Sequence, residues 1–173
     1  MNDSLNAWNT ADSDSAVATL LSCCAAKRWA ETVASQRPYD SEEALFATAD
    51  SIWAAMQEPD WLQAFSAHPR IGERKPAEAS PQSQQWSSQW SSQEQASVHS
   101  AQSAILDELT AGNLLYEEQF GFTYIVCATG KSAEEMLSIL RKRLASDRES
   151  ELHEAAEQQR QITQLRLRKW LQQ

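Results

Sequence analysis

Of the three histidines in this 173-residue chain, His68 stands where chemistry is feasible. It follows the apolar residues Trp61, Leu62 and Phe65, and Pro69-Arg70-Ile71-Gly72 comes directly after it. Lying three residues after Phe65, His68 continues the buried side of that run if the run is helical. Two other ionisable groups share this character. Glu94 lies four residues before Val98, on the inward stripe of the helix that Ser91 would open. Arg166 belongs to a stripe with steps of three and four: Leu152, Ala155, Ala156, Gln159, Ile162, Arg166 and Trp170. Arg168 is two residues off and should face away. Buried charges are costly unless paired, so an inward Glu, Arg and His should be satisfied by one another or by a ligand. An imidazole titrates ordinarily near about 6.5 and can take and return a proton at neutral pH. A carboxylate beside it would orient the ring and favour its charged form. The three together suit acid–base work on a small anion.

Each residue also has a plainer explanation. A histidine before proline can simply end a helix, bonded to backbone. Ser91-x-x-Glu94 fits a capping box, which by itself accounts for both residues. Arg166 can snorkel at the edge of a core. His99 and His153 sit among polar residues and read as surface. The chain has no His-Glu-x-x-His, no Cys-x-x-Cys and no Gly-rich phosphate loop, so zinc hydrolysis and nucleotide binding have little support. Cys23, Cys24 and Cys127 make an odd count without framework spacing, which predicts reduced thiols in a cytosolic setting. Cys23 and Cys24 are adjacent and point different ways on a helix, which argues against a metal or redox pair. The formal net charge of -9, with no polybasic run, argues against nucleic acid or an anionic membrane as partner. The run from Ala16 to Ala26 is interrupted by Thr19 and Ser22 and lacks a basic leader, so it is a poor signal peptide. No segment approaches the roughly 18–20 apolar residues that span a bilayer, and Leu171-Gln172-Gln173 is not a peroxisomal tripeptide.

The elements that must position these residues read as helices. Residues 1–12 are polar and expected to fray, apart from Leu5 and Trp8. A helix from near Asp14 carries Val17, Leu20, Leu21 and Cys24. A second carries Trp29, Ala30 and Val33 and stops before Arg37-Pro38. Asp40 or Ser41 can cap a third, with Leu45, Ala49, Ile52, Trp53 and Met56 at helical spacing. Pro59 opens a short one that reaches His68. Residues 73–90 read as a long Ser-, Gln- and Pro-rich loop in which Trp86 and Trp90 would dock. From Ser91 a long helix runs through Val98, Ala101, Ile105 and Leu109, and Gly112 ends or bends it. The run from Phe122 to Cys127 is strand-like. One strand cannot make a sheet, so it reads as an extended, buried connector closed by Gly130. Ser132 and Glu135 form a second capping-box pattern before Met136, Ile139, Leu140 and Leu144, and a last helix spans about Arg148 to Trp170. The expected fold is all-α: a single-domain helical bundle of about seven or eight helices with one short extended connector.

In order, these motifs resemble the 2-oxo-4-hydroxy-4-carboxy-5-ureidoimidazoline (OHCU) decarboxylase family over roughly residues 17–171. The resemblance is carried by Cys23-Cys24 through Trp29-Ala30-Glu31, Arg37-Pro38-Tyr39, and His68-Pro69-Arg70-Ile71-Gly72. It continues in Ser91-x-x-Glu94-Gln95, Asn113-x-x-Tyr116-x-x-x-Phe120-Gly121-Phe122, Cys127-Ala128-x-Gly130-Lys131-Ser132 and Ile162-x-x-Leu165-Arg166-Leu167. The departure is the loop between Gly72 and Ser91, which varies in the family. The resemblance implies an all-helical homodimer without metal or organic cofactor. It implies decarboxylation of OHCU to (S)-allantoin in urate catabolism. It further implies His68 as the catalytic acid/base, with Glu94 beside it and Pro69 against the ligand. Ser91, Glu94 and Gln95 would bind substrate from the start of the long helix, backbone groups of Val126, Cys127 and Ala128 would hold the ring, and Arg166 would hold a carboxylate or ring carbonyl. Two rivals predict other outcomes. A non-catalytic helical interaction module, its seven tryptophans lining a partner groove, makes Glu94 only a cap and Arg166 only a surface charge. A ureide hydrolase would commonly lean on a metal, for which the chain shows no ligand cluster.

Overall fold

A computed structural model describes residues 2–71 and 103–173, and every regular element among them is helical. The elements are α1 (Asp3–Thr10), α2 (Ser13–Cys23), α3 (Lys27–Ser35), α4 (Glu42–Ala54), α5 (Glu58–Ser66), α6 (Ser103–Phe120), α7 (Ala133–Arg143) and α8 (Arg148–Leu171). The all-α expectation holds. No helix among the described residues is long and apolar enough to cross a membrane. The residues group into two compact units, Met1–Ala64 with Arg160–Gln173, and Phe65–Gln159.

In the first unit the polar N-terminal stretch forms a capped helix. Asn2 caps α1, its side-chain oxygen accepting from the Ser4 and Leu5 amides at 2.8 and 3.2 Å. Its Nδ2 donates to the Leu171 carbonyl at 2.8 Å. Leu5 and Trp8, three residues apart and therefore on one helix face, are buried. The Trp8 indole N–H donates to the Ala16 carbonyl at 3.0 Å, and the ring meets Trp170 edge-on at 5.6 Å. Two anchored apolar side chains and a cap thus hold a helix over Asp3–Thr10, within the stretch expected to fray. Asp12 caps α2 and Ser41 caps α4. Trp29, fully buried on α3, donates to the Ala49 carbonyl of α4 at 3.0 Å. Leu45, Ala49, Ile52, Trp53 and Met56 are all buried, as their spacing predicts.

In the second unit α6 runs through Gly112, which does not end it. A Cβ at Gly112 would stand 2.6 Å from Leu140 Cδ2 of α7, so the glycine serves close packing of two helices rather than a turn. Gly121, at φ 81°, closes α6 instead. Residues 123–128 form neither helix nor strand among the described residues, and Phe122, Tyr124, Ile125, Val126, Cys127 and Ala128 are buried, as expected of a buried connector. Tyr116 of α6 packs against Phe122 and Tyr124, with ring centroids at 5.7 and 5.2 Å. Ser132 and Glu135 form the predicted capping box of α7. Met136 and Leu140 are fully buried there.

One buried constellation has no counterpart in the sequence reading. The Arg143 guanidinium, at the end of α7, pairs with the Glu151 carboxylate of α8. It also donates to the Ile125 carbonyl at 2.6 Å and to the Tyr116 hydroxyl at 3.2 Å, and it lies 4.9 Å over the Tyr124 ring. Tyr116 in turn donates to Glu151 at 2.6 Å. The exposures of Arg143, Glu151 and Tyr116 are 7%, 1% and 0%. Burial pushes the Tyr116 phenol well above its ordinary value.

Candidate functional site

Phe65, almost fully buried on α5, packs against Phe122 of the connector at 5.6 Å. The chain makes one further turn past the helix, with the His68 amide donating to the Phe65 carbonyl at 3.1 Å. Pro69 has no N–H to continue it. His68 is thereby set just beyond the end of α5, half-buried. Its Nε2 lies 2.7 Å from Gln159 Oε1 of α8. Gln159 is fully buried. A carboxamide oxygen only accepts, so Nε2 carries the proton and the lone pair of the neutral ring is on Nδ1.

The residues after His68 are clamped to α6. Arg70 grips Glu117 with two hydrogen bonds of 2.7 Å, one from Nε and one from a terminal nitrogen. The Ile71 carbonyl accepts from Asn113 Nδ2 at 3.2 Å. The connector is tied to the same turn of α8 that holds the imidazole. The Cys127 amide donates to Gln158 Oε1 at 2.8 Å, and the Cys127 carbonyl accepts from Lys131 Nζ at 2.7 Å. Two successive glutamines therefore hold the two pieces: Gln158 the segment Val126, Cys127 and Ala128, and Gln159 the histidine.

Arg166 lies in the first unit, 5% exposed, where a terminal nitrogen donates to the Cys23 carbonyl at 3.3 Å. It is not a solvated surface charge. Its stripe on α8 is buried from Leu152 through Ile162 to Arg166, with Trp170 half-buried and Arg168 exposed, as the periodicity predicts. Burial pushes the neighbouring thiols up, Cys23 to about 12 and Cys24 to about 11, against the pull of the Arg166 charge. His153 is exposed, as expected. Ser91, Glu94, Gln95 and His99 lie outside the described residues. Gln158, Gln159 and Glu117 do not emerge from a search for charged groups on apolar faces. The one legible signal is Gln159, an uncharged polar residue on the inward stripe between Ala156 and Ile162.

A family model for OHCU decarboxylase matches residues 9–168. The chain belongs to the OHCU decarboxylase family. It is 36% identical over 148 residues to the uric acid degradation bifunctional protein TTL of Arabidopsis thaliana, which covers 85% of this chain and 44% of that protein. It is 28% identical over 160 residues to the bifunctional protein PucL of Bacillus subtilis, covering 92% of this chain and 31% of the relative. The chain thus spans less than half the length of these relatives. Among solved structures it is similar to an OHCU decarboxylase crystallised in the presence of (S)-allantoin. There the TM-score is 0.75 and the identity 32%, over 94% of this chain and 100% of the other. An (S)-allantoin synthase, 18% identical with a TM-score of 0.70 over 96% of this chain and 53% of the other, shares the family's fold.

Proposed function

We propose that this chain is a cofactor-independent carboxy-lyase that converts OHCU to (S)-allantoin in urate catabolism, with His68 as its acid–base group. The observation that carries the reading is the imidazole itself. It is half-buried at the end of α5, fixed at Nε2 by a buried carboxamide, and sits in the motif on which the family resemblance rests. The full-length similarity to an OHCU decarboxylase obtained with (S)-allantoin supports the substrate.

The chemistry asks little beyond such a group. The bond to the carboxylate breaks, carbon dioxide leaves, and the electron pair passes into the adjacent C=N of the ring. The hydroxyl loses its proton and becomes a carbonyl, the ring nitrogen that received the pair gains a proton, and the carbon bearing the ureido group gains one on one face; one of these two protons replaces that of the hydroxyl and the other comes from solvent. The substrate supplies its own electron sink, so the protein has to orient the leaving carboxylate, move one proton and deliver another. Acid–base help of this kind is worth roughly 10²- to 10⁴-fold. In this reading His68 takes the hydroxyl proton and Glu94 assists it. Pro69, Ser91, Glu94 and Gln95 contact the substrate, and Arg166 anchors a carboxylate or ring carbonyl. Backbone groups of Val126, Cys127 and Ala128 bind the ring, with the Cys127 amide exchanging the Gln158 oxygen for one on the ligand. The working form is a cytoplasmic homodimer.

The test generates OHCU in solution and follows allantoin by circular dichroism with and without the protein. Faster loss of OHCU with one-handed allantoin is expected. Unchanged loss with racemic product overturns the reading and favours a helical interaction module.

A further inference from the structure

We infer that Gln159 is a positioning residue for His68: its buried carboxamide oxygen holds the Nε2 proton, so that proton exchange during the reaction is confined to Nδ1. The inference rests on the catalytic reading of His68 above.

Three observations carry it. Gln159 is fully buried on a stripe otherwise formed by Leu152, Ala155, Ala156 and Ile162, where an apolar residue would be the cheaper choice. The 2.7 Å separation is that of a well-formed hydrogen bond, and it joins residues 91 positions apart, so it is a tertiary contact rather than a local cap. The partner is an oxygen, which cannot donate. Nε2 must carry hydrogen both when the ring is neutral and when it is charged. The bond therefore survives a full cycle of protonation at Nδ1, and the ring need not turn between taking a proton and giving it back. A carboxylate in the same place would also orient the ring but would favour its charged form. A carboxamide orients it without adding charge. The clamps that follow, Arg70 on Glu117 and Ile71 on Asn113, fix the backbone. Gln159 adds a hold on the imidazole ring itself.

The test uses the full chain with ¹⁵N-labelled histidine rings, His68 being assigned by the signal lost in His68→Asn. The wild type is expected to show one neutral tautomer, protonated at Nε2, with that proton protected from exchange with water. In Gln159→Leu the protection should vanish, and kcat should fall roughly ten- to hundredfold while KM stays within about twofold. Gln159→Glu keeps an acceptor and should keep the protected proton. An Nδ1-protonated ring or a freely exchanging Nε2 proton in the wild type overturns the inference, and this outcome needs no variant to fold. A folded Gln159→Leu with unchanged kcat overturns it equally. A protected Nε2 proton in a wild type that does not accelerate OHCU loss overturns the catalytic reading instead and reduces the pair to a structural contact.

Discussion

The described residues of the second unit hold two polar constellations, around Arg143 and around His68, and they are built in opposite ways. Around Arg143 every charge is cancelled in place: Glu151 takes the guanidinium, Tyr116 bridges the two, and the Ile125 carbonyl accepts a further bond. All three side chains are sealed from water. At His68 the described contact is with a neutral carboxamide, Gln159, and the ring is half-buried. A cancelled ion pair resists any change of protonation, because either charge left alone in the interior would be expensive. A bond to a carboxamide oxygen persists whichever charge the imidazole carries. Burial of ionisable groups is therefore a poor guide to catalysis taken alone; what distinguishes the two described contacts is whether the partner carries a charge of its own.

The largest expected effects come from breaking each constellation separately. His68→Asn should remove most of the acceleration of OHCU loss, roughly 10²- to 10⁴-fold, while the urea midpoint barely moves. Glu151→Gln should do the reverse. It strips the carboxylate from a buried guanidinium and should cost about 3–5 kcal/mol in urea unfolding, with activity per folded molecule preserved. Replacing both charges, Arg143→Met with Glu151→Leu, should cost less than the two single changes added together, because no lone charge remains. A large loss of stability in His68→Asn, or a large loss of activity in folded Glu151→Gln, would erase the distinction between the two places.

A smaller effect tests why one of these constellations was legible in the chain and the other was not. The His68 region announces itself through an apolar run, a proline and a charged residue within a few positions, and helical periodicity alone places Arg166 on a buried stripe. Arg143 sits in the basic run Arg141-Lys142-Arg143, which reads as a solvated helix end, and only the approach of α8 turns it inward. Gln158 is uncharged and its partner is distant in sequence, so nothing local marks it, and Gln159 shows only as a polar residue on an apolar stripe. Gly112 misleads for a related reason. Its reading as a break follows from local propensity, whereas its role is a tertiary one, the close approach of α6 to Leu140. Gly112→Val should therefore cost about 1–3 kcal/mol by forcing that contact apart. A stabilised variant would return the glycine to the status of a local helix defect.

The smallest effect concerns the first unit, where Arg166 is buried like Arg143 but has thiols for neighbours. Burial raises Cys23 from its ordinary 9.0 to about 12 and Cys24 to about 11, with the Arg166 charge opposing the rise at both. The sign follows from which state holds the proton. Below pH 9 the thiols are protonated in folded and unfolded chains alike, and their protonation leaves stability unaffected. Between pH 9 and about 11 to 12 the unfolded chain ionises them and the folded chain does not, so unfolding releases protons and stability falls as pH rises. Tyr39, raised by burial to about 12, adds a slope of the same sign, so the thiol part must be read as a difference. Urea unfolding from pH 8 to 11 should fall less steeply in a Cys23→Ala, Cys24→Ala double variant than in the wild type, while below pH 9 the two curves should run parallel. Arg166→Met removes the opposing charge, so the thiols should titrate higher still and the loss of stability should continue to higher pH than in the wild type. An upper limit of that loss that Arg166→Met leaves unchanged would show that the guanidinium does little to the thiols, and Arg166 would then resemble Arg143 in burial but not in its hold on its neighbours.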